Sequence, residues 1–332
     1  MRSDILPTIN NYRYKDVDFV EITNNVGMKV TFSNLGASIY KIEYLGDLMT
    51  YQAKNLDDFM LENVYNGKSI GRVAGRIKDG IVKIGKKSYK IEPNEGKNLL
   101  HGGHKGLSNQ MFSQRVFNTT EHVHVVYTYF CDSRHSGFPG NALFEVHYIV
   151  SNNKPKLKIK LLSYVTEKSP ISITNHIYFS LGEKNLDNLK LQIKASKSID
   201  MNQEDLILKE AVDIPSYLDF RKPKLIMKDI KNKNLHTGKL AGYDNFYLFD
   251  EKYDEVEKIV LESNKYSLSI FTDFDSAVIY TDNFDPNFEA DNSKEKIHRG
   301  IAIEPQLNPL GDRYLSRGEE FDHFIRFEFK KK

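Results

Sequence analysis

Moving protons on a small polar substrate needs at least one general base and one general acid. Titratable residues of both kinds fall in this sequence where strands and turns are ordinarily bland. Gly300-Ile301-Ala302-Ile303-Glu304-Pro305-Gln306 alternates, so Ile301 and Ile303 face a core while Ala302, Glu304 and Gln306 face the other way. A small Ala beside Glu304 leaves room for a ligand, and Pro305 suggests a strand end. Ile171 to Ser180 divides in the same manner: Ile171, Ile173, Ile177 and Phe179 on one side, Ser172, Thr174, His176, Tyr178 and Ser180 on the other. His176 therefore lies on a face lined with hydroxyls, as in a wet cleft for a polyhydroxylated ligand. The bland alternative for both segments is an ordinary solvent face.

Three further segments bear on binding. Gly71-Arg72-Val73-Ala74-Gly75-Arg76-Ile77 pairs glycines, which let backbone approach a ligand, with guanidiniums that donate to several oxygens. It is not a phosphate-binding loop, because Glu62 stands where the motif ahead of Gly67-Lys68-Ser69 needs glycine. Asn98-Leu99-Leu100-His101-Gly102-Gly103 places an imidazole on a permissive turn, and Gly242-Tyr243-Asp244-Asn245-Phe246 reads as a turn carrying a carboxylate. His122-Val123-His124 puts two imidazoles on one strand face, but zinc sites take three or four ligands, and with no third ligand near no metal is expected.

The elements that must position these residues are strands. Val123, Val125, Tyr127 and Tyr129 alternate, as do Phe144, Val146, Tyr148 and Val150, then Leu157, Ile159 and Leu161. Leu268-Ile270-Thr272, Ala277-Ile279-Thr281 and Phe321-His323-Ile325-Phe327-Phe329 continue the pattern. Nineteen Tyr and twenty Phe suit pleated, half-buried surfaces. The best helical signal is Asn55 to Asn66, where Leu56, Phe59, Met60 and Asn63 share a face and Asn55 can cap. With no repeat and no Pro/Gly/Ser linker, residues 1–332 read as one all-β domain, a large antiparallel β-sandwich with few short helices.

Composition narrows the classes. Lys and Arg number 47 against 45 Asp and Glu, a formal charge of +2, which argues against a nucleic-acid binder. The single cysteine, Cys131, cannot form an internal disulfide and reads as a small buried residue. The first residues lack the apolar stretch of a signal peptide, and no apolar run is long enough for a membrane span. The expected location is the cytoplasm, with no membrane partner.

Together the motifs resemble the galactose mutarotase (aldose 1-epimerase) family. The matching stretches include Asn34-Leu35-Gly36-Ala37, Ala74-Gly75-Arg76-Ile77, Asn98 to Gly103, Gly137-Phe138-Pro139-Gly140-Asn141, Thr174 to Phe179, Asp219-Phe220-Arg221, Gly242-Tyr243-Asp244, Tyr280 to Phe284 and Ile303-Glu304-Pro305-Gln306. They follow the family's order across nearly the whole chain. The resemblance implies a cofactor-free enzyme acting on a free hexose, as a monomer or homodimer. Glu304 looks like its general base, His176 its general acid and His101 the assistant near the ring oxygen. Arg76, Asp244, Asn175 and Gln306 look like substrate-binding groups. The chain departs from the family at Gly75, Phe112, Ser180 and Leu310, where Asn, Trp, Asn and Asp are usual. The alternatives are a hexose-6-phosphate epimerase, which would gather Arg72, Arg76 and Lys78 round a phosphate, and a sugar-binding protein without catalysis. Glu304 should be ionised at neutral pH unless buried, and a carboxylate near His176 should raise its pKa.

Overall fold

Alternation of apolar and polar side chains has built three large antiparallel sheets. The computed structural model describes residues 7–62, 64–201, 207–235, 242–283 and 298–332. Among these, nine strands form the largest sheet, in the order Ser113–Asn118, His122–Cys131, Ala142–Ser151, Lys156–Val165, Phe321–Lys331, Tyr266–Thr272, Ile259–Glu262, Lys190–Ile193 and Lys224–Leu225. Six form the second: Tyr178–Phe179, Ile301–Gln306, Ser276–Tyr280, Asp244–Phe249, Ala195–Met201 and Ile207–Asp213. A meander of five begins the described chain, from Thr8–Tyr14 to Asp47–Leu48.

The alternating residues meet as the sequence implied. Val123, Val125, Tyr127, Phe144, Tyr148, Leu157, Ile159, Leu161, Leu268, Ile270, Ile325 and Phe327 are all buried. They join Ile279, Ile301, Ile303 and Tyr247 of the six-stranded sheet and Val20, Val30 and Ile42 of the meander in one apolar cluster. Each such side chain contributes roughly 1.5–3 kcal/mol on burial, so a β-sandwich is what this pattern stabilises. Cys131 is buried in this core, as expected of a small apolar residue.

The helix expected over Asn55–Asn66 is a single turn, Leu56–Phe59. Asn55 caps it as the sequence indicated, its side chain accepting from the Asp58 amide at 2.8 Å. Only Phe59 of the turn is buried, so there is little apolar stripe to prolong it. Asn63 lies outside the described residues, as does Phe284.

Candidate active site

The six-stranded sheet sets the floor of the site through its register. Asp244 is level with Tyr280, Tyr280 with Ala302 and Ala302 with Tyr178. Residues directly opposite on neighbouring strands share a face, so these four form one rung. The next rung is Ile199, Phe246, Val278 and Glu304. Glu304 thus stands one rung along from small Ala302, flanked by an apolar wall of Ile199, Phe246 and Val278.

His176 arrives from a segment that changes partners. Thr174–Asn175 pairs with Ser69–Ile70, and Tyr178–Phe179 pairs with Ile301 and Ala302. Between these pairings the His176 amide donates to Lys68 O and the Gly67 amide donates to His176 O, both at 2.9 Å. Gly67 is required here: its φ is +69°, and a Cβ would lie 1.9 Å from Ile39 O. Ser172 and Thr174, expected on a wet face, are fully buried, and Thr174 Oγ1 donates to Pro305 O at 2.7 Å. The Thr174 hydroxyl fastens two strands together instead of lining a cleft, and the Ser172 hydroxyl is buried without a hydrogen-bond partner.

The imidazole of His176 and the carboxylate of Glu304 meet at 3.2 Å, Nε2 to Oε1, with side chains 6% and 4% exposed. Residues 128 positions apart are thereby within ion-pair distance. Burial raises the Glu304 pKa well above its ordinary value, helped by the nearby Asp244 charge and opposed by Arg76. Burial also pushes His176 down, to about 4. The carboxylate does not raise the histidine as the sequence suggested, because loss of water disfavours the charged form of both groups. At 3.2 Å their titrations are coupled.

His101 sits beside them, its ring centroid 5.4 Å from that of His176 in an edge-to-face arrangement. Its Nδ1 accepts from the Gly75 amide at 3.2 Å, which leaves Nε2 to carry the proton of the neutral ring. Burial, then the neighbouring His176 and Arg76, hold its pKa well below the ordinary value, so it is a neutral donor. The backbone of His101 is left-handed, φ +54°. Its turn is locked by Gly102, where a Cβ would lie 2.0 Å from Gly71 O.

Arg76 and Asp244 close one side. Arg76 Nη1 approaches Asp244 Oδ2 to 4.0 Å, while its Nε and Nη2 donate to the Glu95 carboxylate at 2.6 and 2.8 Å. Gln306 lies on the Glu304 face of its strand, nearly fully buried, its amide 3.5 Å from Glu304 O. Asn175 points away: its amide donates to Gly67 O at 2.8 Å and to the Tyr148 hydroxyl at 3.2 Å. The structure does not bring it to the cluster, because it alternates with His176 and takes the core face. Arg72 also turns inward, donating to Pro139 O, Ser169 Oγ, Cys131 O and Ser136 Oγ. Lys78 is exposed, so Arg72, Arg76 and Lys78 do not converge.

Sequence reasoning passed over Tyr65 and Glu95. The Tyr65 ring lies 4.8 Å from His101 and 5.9 Å from His176, roofing both imidazoles. Tyr178, on the His176 face, packs 5.0 Å from that ring. No motif distinguishes Tyr65 among nineteen tyrosines. The metal-like pair His122 and His124 lies on the nine-stranded sheet with ring centroids 6.1 Å apart. Among the described residues no group of three or more His, Cys, Asp or Glu is placed to hold an ion. No helix of the described residues is long and apolar enough to cross a membrane.

A family model described as aldose 1-epimerase matches residues 18–328. An aldose 1-epimerase from Streptococcus thermophilus is 28% identical over 95% of this chain and 94% of its own length. A galactose mutarotase from Homo sapiens is 26% identical over 82% and 81%. Among solved structures, a galactose 1-epimerase from Lactobacillus acidophilus superimposes with a TM-score of 0.88 at 24% identity, covering 98% of this chain and 99% of that one. An aldose epimerase homologue from C. elegans gives 0.83 at 22%, with the same coverage.

Proposed function

Since the chain belongs to the aldose 1-epimerase family, we propose that it interconverts the α and β anomers of a free hexose such as galactose or glucose, with Glu304 as base and His176 as acid. The observation that carries this reading is the buried contact of 3.2 Å between the two. Ring opening moves one proton from the C1 hydroxyl to Glu304 and one from His176 to the ring oxygen. The C1–O5 bond breaks and C1 becomes an aldehyde. Rotation about C1–C2 and the reverse transfers close the ring from the other face.

The pair holds one proton before and after each half-reaction. Before ring opening it must sit on the imidazole, the less favoured arrangement in a site where burial disfavours both charges, and afterwards it sits on the carboxyl. Because no net charge enters or leaves a site shielded from water, little solvent reorganisation opposes the step. His101, a neutral donor through Nε2, supports the negative charge that develops on the ring oxygen. Arg76, Asp244 and Gln306 hold hydroxyls.

The same reading makes the chain one folded unit, cytoplasmic, needing no cofactor, and a monomer or homodimer. The inward turn of Arg72 favours a free sugar over a phosphorylated one. Polarimetry on freshly dissolved α-galactose and α-glucose tests the activity. Rates above the spontaneous background are expected, and background rates on every free aldose would overturn it.

A further inference from the structure

We propose that Glu95 is a specificity-determining residue that disfavours phosphorylated and carboxylated sugars, by occupying the two-pronged edge of the Arg76 guanidinium. The inference rests on the anomerase reading of the site. Its observation is independent of the proton-transfer pair.

Arginine recognises phosphate and carboxylate best through two parallel N–H donors. In Arg76 the side-on pair, Nε and Nη2, already serves Glu95, at 2.6 and 2.8 Å. The remaining nitrogen, Nη1, is directed at Asp244 Oδ2, 4.0 Å away. Two carboxylates, Glu95 and Asp244, therefore flank one guanidinium. An anionic ligand would have to displace Glu95 and lie among like charges. A neutral hydroxyl needs only single hydrogen bonds.

The loop that carries Glu95 is built to hold it there. The Glu95 amide donates to Asn98 O at 3.1 Å and the Asn98 amide donates to Glu95 O at 2.9 Å, across Gly96 with φ +57°. Asn94 fixes the base of the turn through Leu100, accepting from its amide at 2.7 Å and donating to its carbonyl at 3.1 Å. Leu100 is in turn paired with Arg76 across the short strands Leu99–Leu100 and Arg76–Ile77. The carboxylate and the guanidinium are thus carried on one hydrogen-bonded frame. With its side chain 39% exposed against 17% for Arg76, Glu95 stands on the solvent side of the pair.

Among the described residues, three other cations are engaged elsewhere. Arg72 is committed to the core, Lys68 donates to Leu61 O, and Arg299 is held by Asp282 at 2.8 Å.

The test compares kcat/KM for glucose, glucose 6-phosphate and glucuronic acid in the wild type, Glu95→Gln and Glu95→Ala, at low and high salt. The wild type should prefer glucose. Glu95→Gln should raise the anion-to-glucose ratio by about tenfold, a change worth ~1.4 kcal/mol. Glucose KM should change more than glucose kcat, since Glu95 positions Arg76 and does not touch the reacting atoms. Added salt should narrow the difference between variant and wild type, as screening does for a charge effect and not for a loss of shape. Unchanged ratios in both variants, or a wild type that already favours the anions, would overturn the proposal. Failure to turn over any free sugar would instead sink the anomerase reading, and calorimetric binding of glucose against glucuronate would then judge Glu95 alone.

Discussion

Lys68 is a buried cation that the proposed chemistry does not use, and its cost to the fold can be worked out. Its side chain is fully buried; Nζ donates to Leu61 O at 3.2 Å and lies 5.2 Å from the Phe59 ring centroid. Burial lowers its pKa from 10.5 to about 8. At ~1.4 kcal/mol per unit, keeping Lys68 charged in the folded state costs about 3 kcal/mol at neutral pH. The sign follows from proton counts. Between about pH 8 and 10.5 the unfolded chain keeps a proton on this lysine that the folded chain has lost. Wild-type stability from this group therefore rises with pH across that window and is flat below it. Lys68→Met preserves length and apolar contact while deleting the charge. It should be more stable than wild type at pH 7 by about 2 kcal/mol, the ~1 kcal/mol bond to Leu61 O being lost. By pH 10.5 the order should reverse, with Lys68→Met the less stable by about 1 kcal/mol, the lost bond to Leu61 O. Urea unfolding of both proteins at several pH values measures this, and taking the difference removes the tyrosines' own titration. Parallel stability curves from pH 7 to 10.5 would refute the reasoning.

Glu304→Gln and His176→Asn should each lower kcat by on the order of 10²–10⁴-fold, read by polarimetry, while leaving the circular dichroism spectrum unchanged. With His176 held at about 4, kcat/KM should show no histidine limb between pH 7.5 and 5. It should fall only near pH 4, as a second proton joins the pair; a limb near 6.5 would show an ordinary histidine instead. Gly102→Ala should destabilise the protein by at least about 2 kcal/mol in urea titrations, since its Cβ would lie 2.0 Å from Gly71 O. The same change should lower kcat by moving His101.

Legibility differed between fold and site for physical reasons. Tyr127, Tyr148 and Ile159 were readable because a strand face repeats every two residues whatever the partner. The same rule placed His176 opposite Ile177 and Glu304 opposite Ile303. It could not show that the two would touch, which depends on the pairing of Tyr178 with Ala302. Nor could spacing separate Arg72 from Arg76. They lie in a stretch rich in glycine where neither a helical nor a strand period holds, and one points to the core while the other reaches Asp244. Glu95 gave no signal at all, since a glutamate beside Gly96 is the usual composition of a solvated turn. The expected helix shrank to Leu56–Phe59 because a shared face on paper needs a surface to bury it.

The segment that carries His176 switches from one strand partner to another within four residues, Asn175 to Tyr178. This has a consequence for how such a protein can diversify. Loops at the mouth, such as the turn at Gly96, can lengthen or change charge and so alter which sugars enter. Adding or deleting a single residue between those two pairings would rotate the imidazole to the opposite side of its strand and abolish turnover at a stroke. Selection for new substrates is therefore free to work at the rim, while the stretch beneath it is confined to substitutions that keep its length.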